Sequence, residues 1–138
     1  MKKTILMLEG DDDDRFITQS MFVEKQADVA LVFAINSKEL LKYLDDAKAG
    51  LSEMPAMVLL SYLAAPMNAV DILRTVTSDP AYKHIPIVVL SDALPEDSIR
   101  RCYSEGAVSV IMKAISSQGV EQKISTFIRY WFQTVELV

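Results

Sequence analysis

Four polar residues in this 138-residue chain stand just past the end of an apolar run: Glu9, Ser61, Ser91 and Lys113. Four consecutive aspartates, Asp11 to Asp14, follow Glu9 and Gly10. Each of these types has a sharp chemical use and a plainer one. The acids offer oxygen ligands to a hard cation such as magnesium. They serve equally as a solvated loop whose negative charge suits the N-terminus of a helix. Their spacing is not that of a calcium-binding loop, because no glutamate follows at the required distance. Ser61 carries a neutral hydroxyl that attacks phosphorus only when a general base takes its proton, and Glu9 is the nearest candidate base. Lys113 is a candidate phosphate clamp, yet an ion pair with Glu9 or Asp11 across the strand ends is the favoured reading, with little net stabilisation from the pair. His84, the single histidine, falls in a loop ahead of the fourth apolar run, and Cys102, the single cysteine, lies beside Ile99 as a packing residue.

The elements that must position these groups follow from periodicity. Thr4–Leu8, Val29–Ala34, Ala56–Leu60, Ile85–Leu90 and Val108–Met112 are compact apolar runs, the pattern of strands buried on both faces. Helices are expected between them. The first is capped by Asp13 or Asp14 and runs to about Lys25, with Phe16, Ile17, Met21 and Phe22 on its apolar side. The second starts at Asn36-Ser37-Lys38-Glu39, which has capping-box spacing, and stops near Gly50. The third covers about Asn68 to Thr77. The fourth runs from about Pro95, acceptable in a first turn, to Glu105, with Gly106 as its C-terminal cap. The last spans about Ser117 to Thr134, with Ile124, Phe127, Ile128 and Trp131 on one face and Tyr130 and Phe132 off it, exposed. Strand and helix alternate five times with short connections, which gives a doubly wound parallel α/β sheet with helices on both faces. Chemistry in such a sheet sits at the carboxyl ends of the strands, where Glu9, Ser61, Ser91 and Lys113 fall.

Composition bounds the function. Half the residues are hydrophobic, enough for a sizeable core. The net charge of −5 argues against non-specific binding to nucleic acid or anionic lipid. No apolar segment approaches the length of a membrane span. A single cysteine permits no internal disulfide, and the chain reads as cytoplasmic.

On these residues the chain resembles the receiver domain of bacterial two-component response regulators, over essentially its full length. It is closest to stand-alone receivers, through Ser78-Asp79-Pro80-Ala81-Tyr82-Lys83-His84-Ile85-Pro86 before the fourth strand and Tyr130-Trp131-Phe132 in the last helix. The resemblance implies a (βα)5 flavodoxin-like fold with strand order 2-1-3-4-5, one receiver-like domain over residues 1–138 and no output domain. It also implies roles. In that family an aspartate ending the third strand takes phosphate from a histidine kinase, helped by magnesium, an acidic pair after the first strand and a lysine after the fifth. Here Ser61 takes the acceptor place, Glu9 the first acidic position and Gly10 the second, with Asp11 one step on. Ser91 fits the switch hydroxyl and Lys113 the lysine. Val110 stands where an aromatic is expected, Ala114 replaces a proline, and Ala65 and Ala69 replace a proline and a glycine.

An aspartyl phosphate cannot form at position 61. The expected metal site, Glu9 with Asp11, is weak or lost, so no cofactor beyond weakly held magnesium is expected. The expectation is a non-enzymatic pseudo-receiver that works by protein–protein contact in phosphorelay signalling. Its expected partner is a histidine kinase or another receiver, met as a monomer or weak homodimer through the helix-4, strand-5, helix-5 face. That face includes Arg100, Arg101, Tyr103, Glu105 and Val110. The alternative is phosphotransfer with Ser61 or Asp11 as acceptor. A flavin carrier is weaker, because the acidic loop after the first strand would repel a phosphate.

Overall fold

The computed structural model describes residues 2–25, 28–62, 67–112 and 117–137. Among them five strands alternate with five helices: β1 (Lys3–Leu8), α1 (Asp12–Glu24), β2 (Val29–Ala34), α2 (Ser37–Lys48), β3 (Met57–Ser61), α3 (Ala69–Thr77), β4 (Ile87–Ser91), α4 (Glu96–Ser104), β5 (Ser109–Met112) and α5 (Ser117–Gln133). The strands form one sheet in the order β2-β1-β3-β4-β5, and every pair is parallel. The fold class and strand order are those expected from the sequence. The third strand ends one residue later than expected, on Ser61 itself, and the fourth begins at Ile87 because Pro86 has no N–H to give a ladder.

The period-2 alternation of side chains splits each central strand between two cores. Leu6 and Leu8 of β1 join Val58 and Leu60 of β3, packed with Leu40, Leu44, Ile72 and Leu73 from α2 and α3. Ile5, Met7, Met57 and Leu59 face the other way, toward Phe22 of α1 and Phe127 and Ile128 of α5. Cys102 is fully buried on α4 within the first cluster, as a packing residue.

Helix starts follow side-chain chemistry. Asn36 caps α2 by accepting from the Glu39 N–H at 2.9 Å, while Glu39 reaches back to the Ile35 N–H at 3.0 Å. Asn68 caps α3 through the Asp71 N–H at 3.0 Å. Two expectations are corrected. The cap of α1 is Asp11, not Asp13 or Asp14; its carboxylate accepts from the Asp14 N–H at 2.8 Å, which leaves Asp12, Asp13 and Asp14 as the acidic first turn. Pro95 sits at the cap of α4, just outside the helix, its carbonyl accepting from Ser98 and Ile99. Gly106 ends that segment at φ +109° as expected, and its bare Cα fits against Thr77.

The apolar side of α1 also differs. Phe22 is buried, but Phe16 is 73% exposed and Ile17 is 43% exposed. Apolar residues surround this helix, so their spacing does not choose a face; the packing of Phe22 against Phe132 does, with ring centroids 6.3 Å apart. Phe132, expected to be exposed, is half-buried for the same reason and also meets Phe127 at 5.9 Å. Tyr130 is exposed as expected.

Candidate functional site

The strand order changes direction between β1 and β3: one neighbour of β1 precedes α2 and the other follows it. At such a switch point the connections leave the sheet on opposite faces and open a crevice at the carboxyl ends. Glu9 follows β1 and Ser61 ends β3, so the topology brings together two residues separated by 52 positions. Both are buried, Glu9 with 5% and Ser61 with 6% of their surface exposed. The Ser61 hydroxyl donates to Glu9 Oε1 at 2.9 Å.

The loop after β1 is organised around the same glutamate. Its N–H donates to the Ala34 carbonyl at 3.0 Å, which fixes the chain direction leaving β1. The Asp11 N–H lies 3.4 Å from Glu9 Oε2. Arg15, one turn into α1, donates to the Glu9 carbonyl at 2.7 Å and pairs with Asp12. A largely buried guanidinium thus stands inside the acidic loop. Sequence reading did not single out Arg15; the available signal was a cation six residues after Glu9, at the distance where one helical turn folds it back. Gly10 is tight as well. A Cβ there would lie 3.2 Å from the Ile35 carbonyl oxygen, so that carbonyl would have to yield to any larger residue.

Ser91 closes β4, buried and beside Met112 of β5 in the sheet register. Val110 lies on β5, and its N–H donates to the Tyr103 hydroxyl of α4 at 3.1 Å. Lys113, Ala114 and Ala65 lie outside the described residues. Ala69, by contrast, is fully buried at the start of α3, where its N–H bonds the Tyr62 carbonyl at 3.0 Å. His84 is exposed ahead of β4, at the far end of the sheet from Ser61. Burial pushes the Cys102 thiol up from its ordinary value, the reverse of what a reactive thiolate needs.

No protein-family model matches the chain. Its sequence is 24% identical over 127 residues to the probable methanogenesis regulatory protein FilR2 of Methanothrix harundinacea (strain 6Ac), covering 92% of this chain and 82% of that one. It is 25% identical over 120 residues to the two-component response regulator ORR1 of Oryza sativa subsp. japonica, covering 86% of this chain and 52% of the rice protein, about half its length. In structure it matches the Mn(2+)-bound form of response regulator Rcp1 with a TM-score of 0.90 at 21% identity, covering 99% of both chains. The response regulator receiver domain from Rhodospirillum rubrum matches with a TM-score of 0.86 at 25% identity, over 97% of this chain and 96% of that one. The chain has the fold of a response-regulator receiver domain. The comparisons support receiver-type signalling as its general role, and among the described residues no helix is long and apolar enough to cross a membrane.

The magnesium of the receiver family fits the residues here poorly. Glu9 already accepts the Ser61 hydroxyl, Gly10 has no side chain, and Asp11 spends an oxygen on its helix cap. Among the described residues no group of three or more His, Cys, Asp or Glu side chains is disposed to hold a metal ion. Magnesium is ordinarily held through carboxylates together with retained waters, and a serine hydroxyl that gives its proton to Glu9 brings no negative charge to a cation.

Proposed function

We propose that this receiver-type protein passes signals by protein–protein contact, without an aspartyl phosphate and without a resident magnesium ion. The observation that carries the reading is the buried hydrogen bond from Ser61 to Glu9 at the receiver's acceptor position. It replaces a charged nucleophile with a neutral hydroxyl. It also converts a site that concentrates negative charge into one that satisfies it internally, with Arg15 beside it. The α4, β5 and α5 surface is the docking face in this reading, and a histidine kinase or another receiver is the partner class, met by a monomer or weak homodimer. Val110 has no ring to swing between inward and outward positions. Its backbone is instead tied to α4 through Tyr103, which favours one fixed surface.

A second reading draws on the same bond. A hydroxyl donating to a carboxylate is also the arrangement of a nucleophile and its base. In that case the Ser61 proton passes to Glu9 as oxygen attacks phosphorus and the donor's leaving group departs. Asp11 is a poorer acceptor, because its carboxylate caps α1. Intact-mass measurement after incubation with acetyl phosphate or a partner kinase and magnesium separates the two. An unchanged mass is expected. A gain of one phosphate, mapped to Ser61, would establish the second reading and overturn the first.

A further inference from the structure

β2 is an outer strand of the sheet. Helices cover both of its faces: Val29, Leu31 and Phe33 pack into the cluster with α1 and α5, and Val32 into the cluster with α2. Yet every residue from Val29 to Phe33 stays half-buried, while β3 is buried throughout. The remaining exposure lies along the free edge. In a parallel strand the N–H and carbonyl of one residue point to the same side, and those of the next point to the other. The Ala34 carbonyl accepts from Glu9, so Ala30, Val32 and Ala34 face β1. Val29, Leu31 and Phe33 therefore turn their N–H and carbonyl groups outward, and none of these groups has a partner among the described residues. The opposite edge is closed in part, because the Val110 N–H of β5 goes to the Tyr103 hydroxyl. β2 also lacks the usual edge defences: Val-Ala-Leu-Val-Phe-Ala holds no charge, proline or glycine. The outer flank of α1 lies beside the same edge. Asp14, Ile17 and Thr18 face the space between α1 and α5. At 3.6 residues per turn Phe16 and Val23 fall together on the side away from α5, and both are exposed. Because α1 joins β1 to β2 while α5 follows β5, that side is the one toward β2.

We propose that the β2 edge docks the β2 edge of a second copy of this chain, antiparallel about a two-fold axis through Leu31, with the two α1 flanks meeting beside it. The edge itself sets the register. Hydrogen-bonded pairs in an antiparallel ladder exchange both N–H···O bonds, so an outward residue must meet an outward residue. About the Leu31 axis, Leu31 meets Leu31 and Val29 meets Phe33 on either side, which uses every outward group of both strands. A shift of two residues one way sets Val29 against Ile35, whose N–H is already given to Glu39. A shift the other way draws the charged Asp28 alongside Val32. The α1 flank selects the occupant. An extended peptide would fill the edge and leave Phe16 and Val23 in water. A second copy brings its own α1, and the four apolar side chains cover one another. Water satisfies the edge of a single chain and the contact is small, so the dimer is weak and forms with concentration. The pairing uses neither the acceptor position nor the α4, β5 and α5 face, so it stands whichever reading holds at Ser61.

The test is analytical ultracentrifugation and NMR of the whole chain between about 10 μM and about 1 mM, the range in which a weak interface becomes populated. A monomer–dimer equilibrium is expected. In a mixture of labelled and unlabelled wild-type chains, the Ala30 Hα should show an intermolecular NOE to the Val32 Hα, the close non-hydrogen-bonded pair that the Leu31 axis dictates. The Leu31 and Phe33 amides should exchange more slowly with deuterium at the higher concentration, and the Val110 amide should not change. Phe16→Lys and Val23→Lys, both at exposed positions, should each weaken the dimer about tenfold or more, the factor for returning one apolar side chain to water. Val29→Pro, at the first residue of an edge strand, should weaken it by removing an outward donor from each copy. Should that variant fail to fold, the wild-type NOE and the two lysine variants still decide. A chain that stays monomeric at about 1 mM would leave the edge to an extended peptide and overturn the proposal. A dimer without the Ala30–Val32 NOE, or one that the lysine variants leave unchanged, would overturn it equally.

Discussion

Replacing Ser61 by Asp restores the receiver family's acceptor on paper, and the structure predicts that it harms this chain. The Ser61 oxygen lies 2.9 Å from Glu9 Oε1, and both residues are buried. An aspartate at 61 would set two carboxylates side by side with no proton between them. At a separation of about 4 Å and an effective dielectric constant of about 20, their repulsion is about 4 kcal/mol. The pair can escape by holding one proton. For a carboxyl of ordinary pKa near 4 that route costs about 4 kcal/mol at pH 7, at about 1.4 kcal/mol per unit. Both routes reach the same ceiling. It is a large share of the roughly 5–15 kcal/mol that holds an ordinary domain together.

The sign with pH follows. The raised carboxyl binds more protons in the folded variant than in the unfolded one, so the penalty is greatest above the folded value and fades as pH falls toward the ordinary carboxylate range. At pH 5 the protonation route costs only about 1.4 kcal/mol. Ser61→Ala is the control: it removes one hydrogen bond to a charged group, worth about 1.5–3 kcal/mol, and introduces no second acid. Urea unfolding followed by circular dichroism, at pH 7 and pH 5 with and without magnesium chloride, measures all of this. Ser61→Asp should lose more than Ser61→Ala at pH 7, and the order should narrow or reverse at pH 5. Magnesium alone should not restore it, because Gly10 supplies no further carboxylate. If Ser61→Asp is within about 1 kcal/mol of the parent at pH 7 without metal, well under the repulsion expected, the Ser61–Glu9 contact does not organise the site. If magnesium restores Ser61→Asp, a working cation site has survived.

Gly106→Ala should cost about 1–3 kcal/mol, seen as a lower thermal midpoint, because φ is +109° and the new Cβ would meet Thr77 Cγ2 at 2.8 Å. Thr77 cannot easily turn aside, since its hydroxyl donates to the Leu73 carbonyl at 2.7 Å. At the opposite end of the sheet, burial first and then the negative charges of Asp45 and Asp79 push the Tyr82 hydroxyl up to about 12. A folded-state value above the unfolded value of about 10 means stability is complete below pH 10 and declines as pH rises toward 12. Tyr82→Phe should flatten that decline in a pH series of unfolding curves, while an unchanged slope would assign the loss to other groups.

The fold was legible because its signals are local and repeated. Apolar runs of strand length, separated by capped amphipathic stretches, dictate a parallel sheet whichever residues sit at the strand ends. Asn36 announced its helix because a side-chain acceptor three residues ahead of a free N–H is a short-range feature, and Asn68, read only as a helix start, turns out to cap α3 in the same way. Asp11 was harder, since any of four adjacent aspartates offers the same acceptor and the path out of β1 makes the choice. The solvent face of α1 was not legible either: Phe16, Ile17, Phe22 and Val23 surround the helix, and only contact with α5 selects Phe22. At the site, residue types at the strand ends were readable, but the bond between Ser61 and Glu9 was not. It spans 52 positions and exists because β1 and β3 are neighbours, a property of topology and not of either segment.

That separation of scales makes the fold independent of which residues stand at the strand ends. The two hydrophobic clusters that hold the sheet use the interiors of the strands and the inner faces of the helices, and neither contains Glu9, Ser61 or Ser91. Substitution at the strand ends therefore leaves the apolar contacts that determine the fold in place. What a strand-end substitution must satisfy is narrower: a buried polar group needs a partner, or it costs about 1–3 kcal/mol. Ser61 meets that condition by donating to Glu9, and Arg15 binds the backbone of the same residue. Among the described residues no buried side-chain nitrogen or oxygen is left without a hydrogen-bond partner. A serine at the end of β3 meets that condition within the fold itself, because the parallel pairing of β1 with β3 sets its hydroxyl 2.9 Å from a Glu9 carboxylate oxygen.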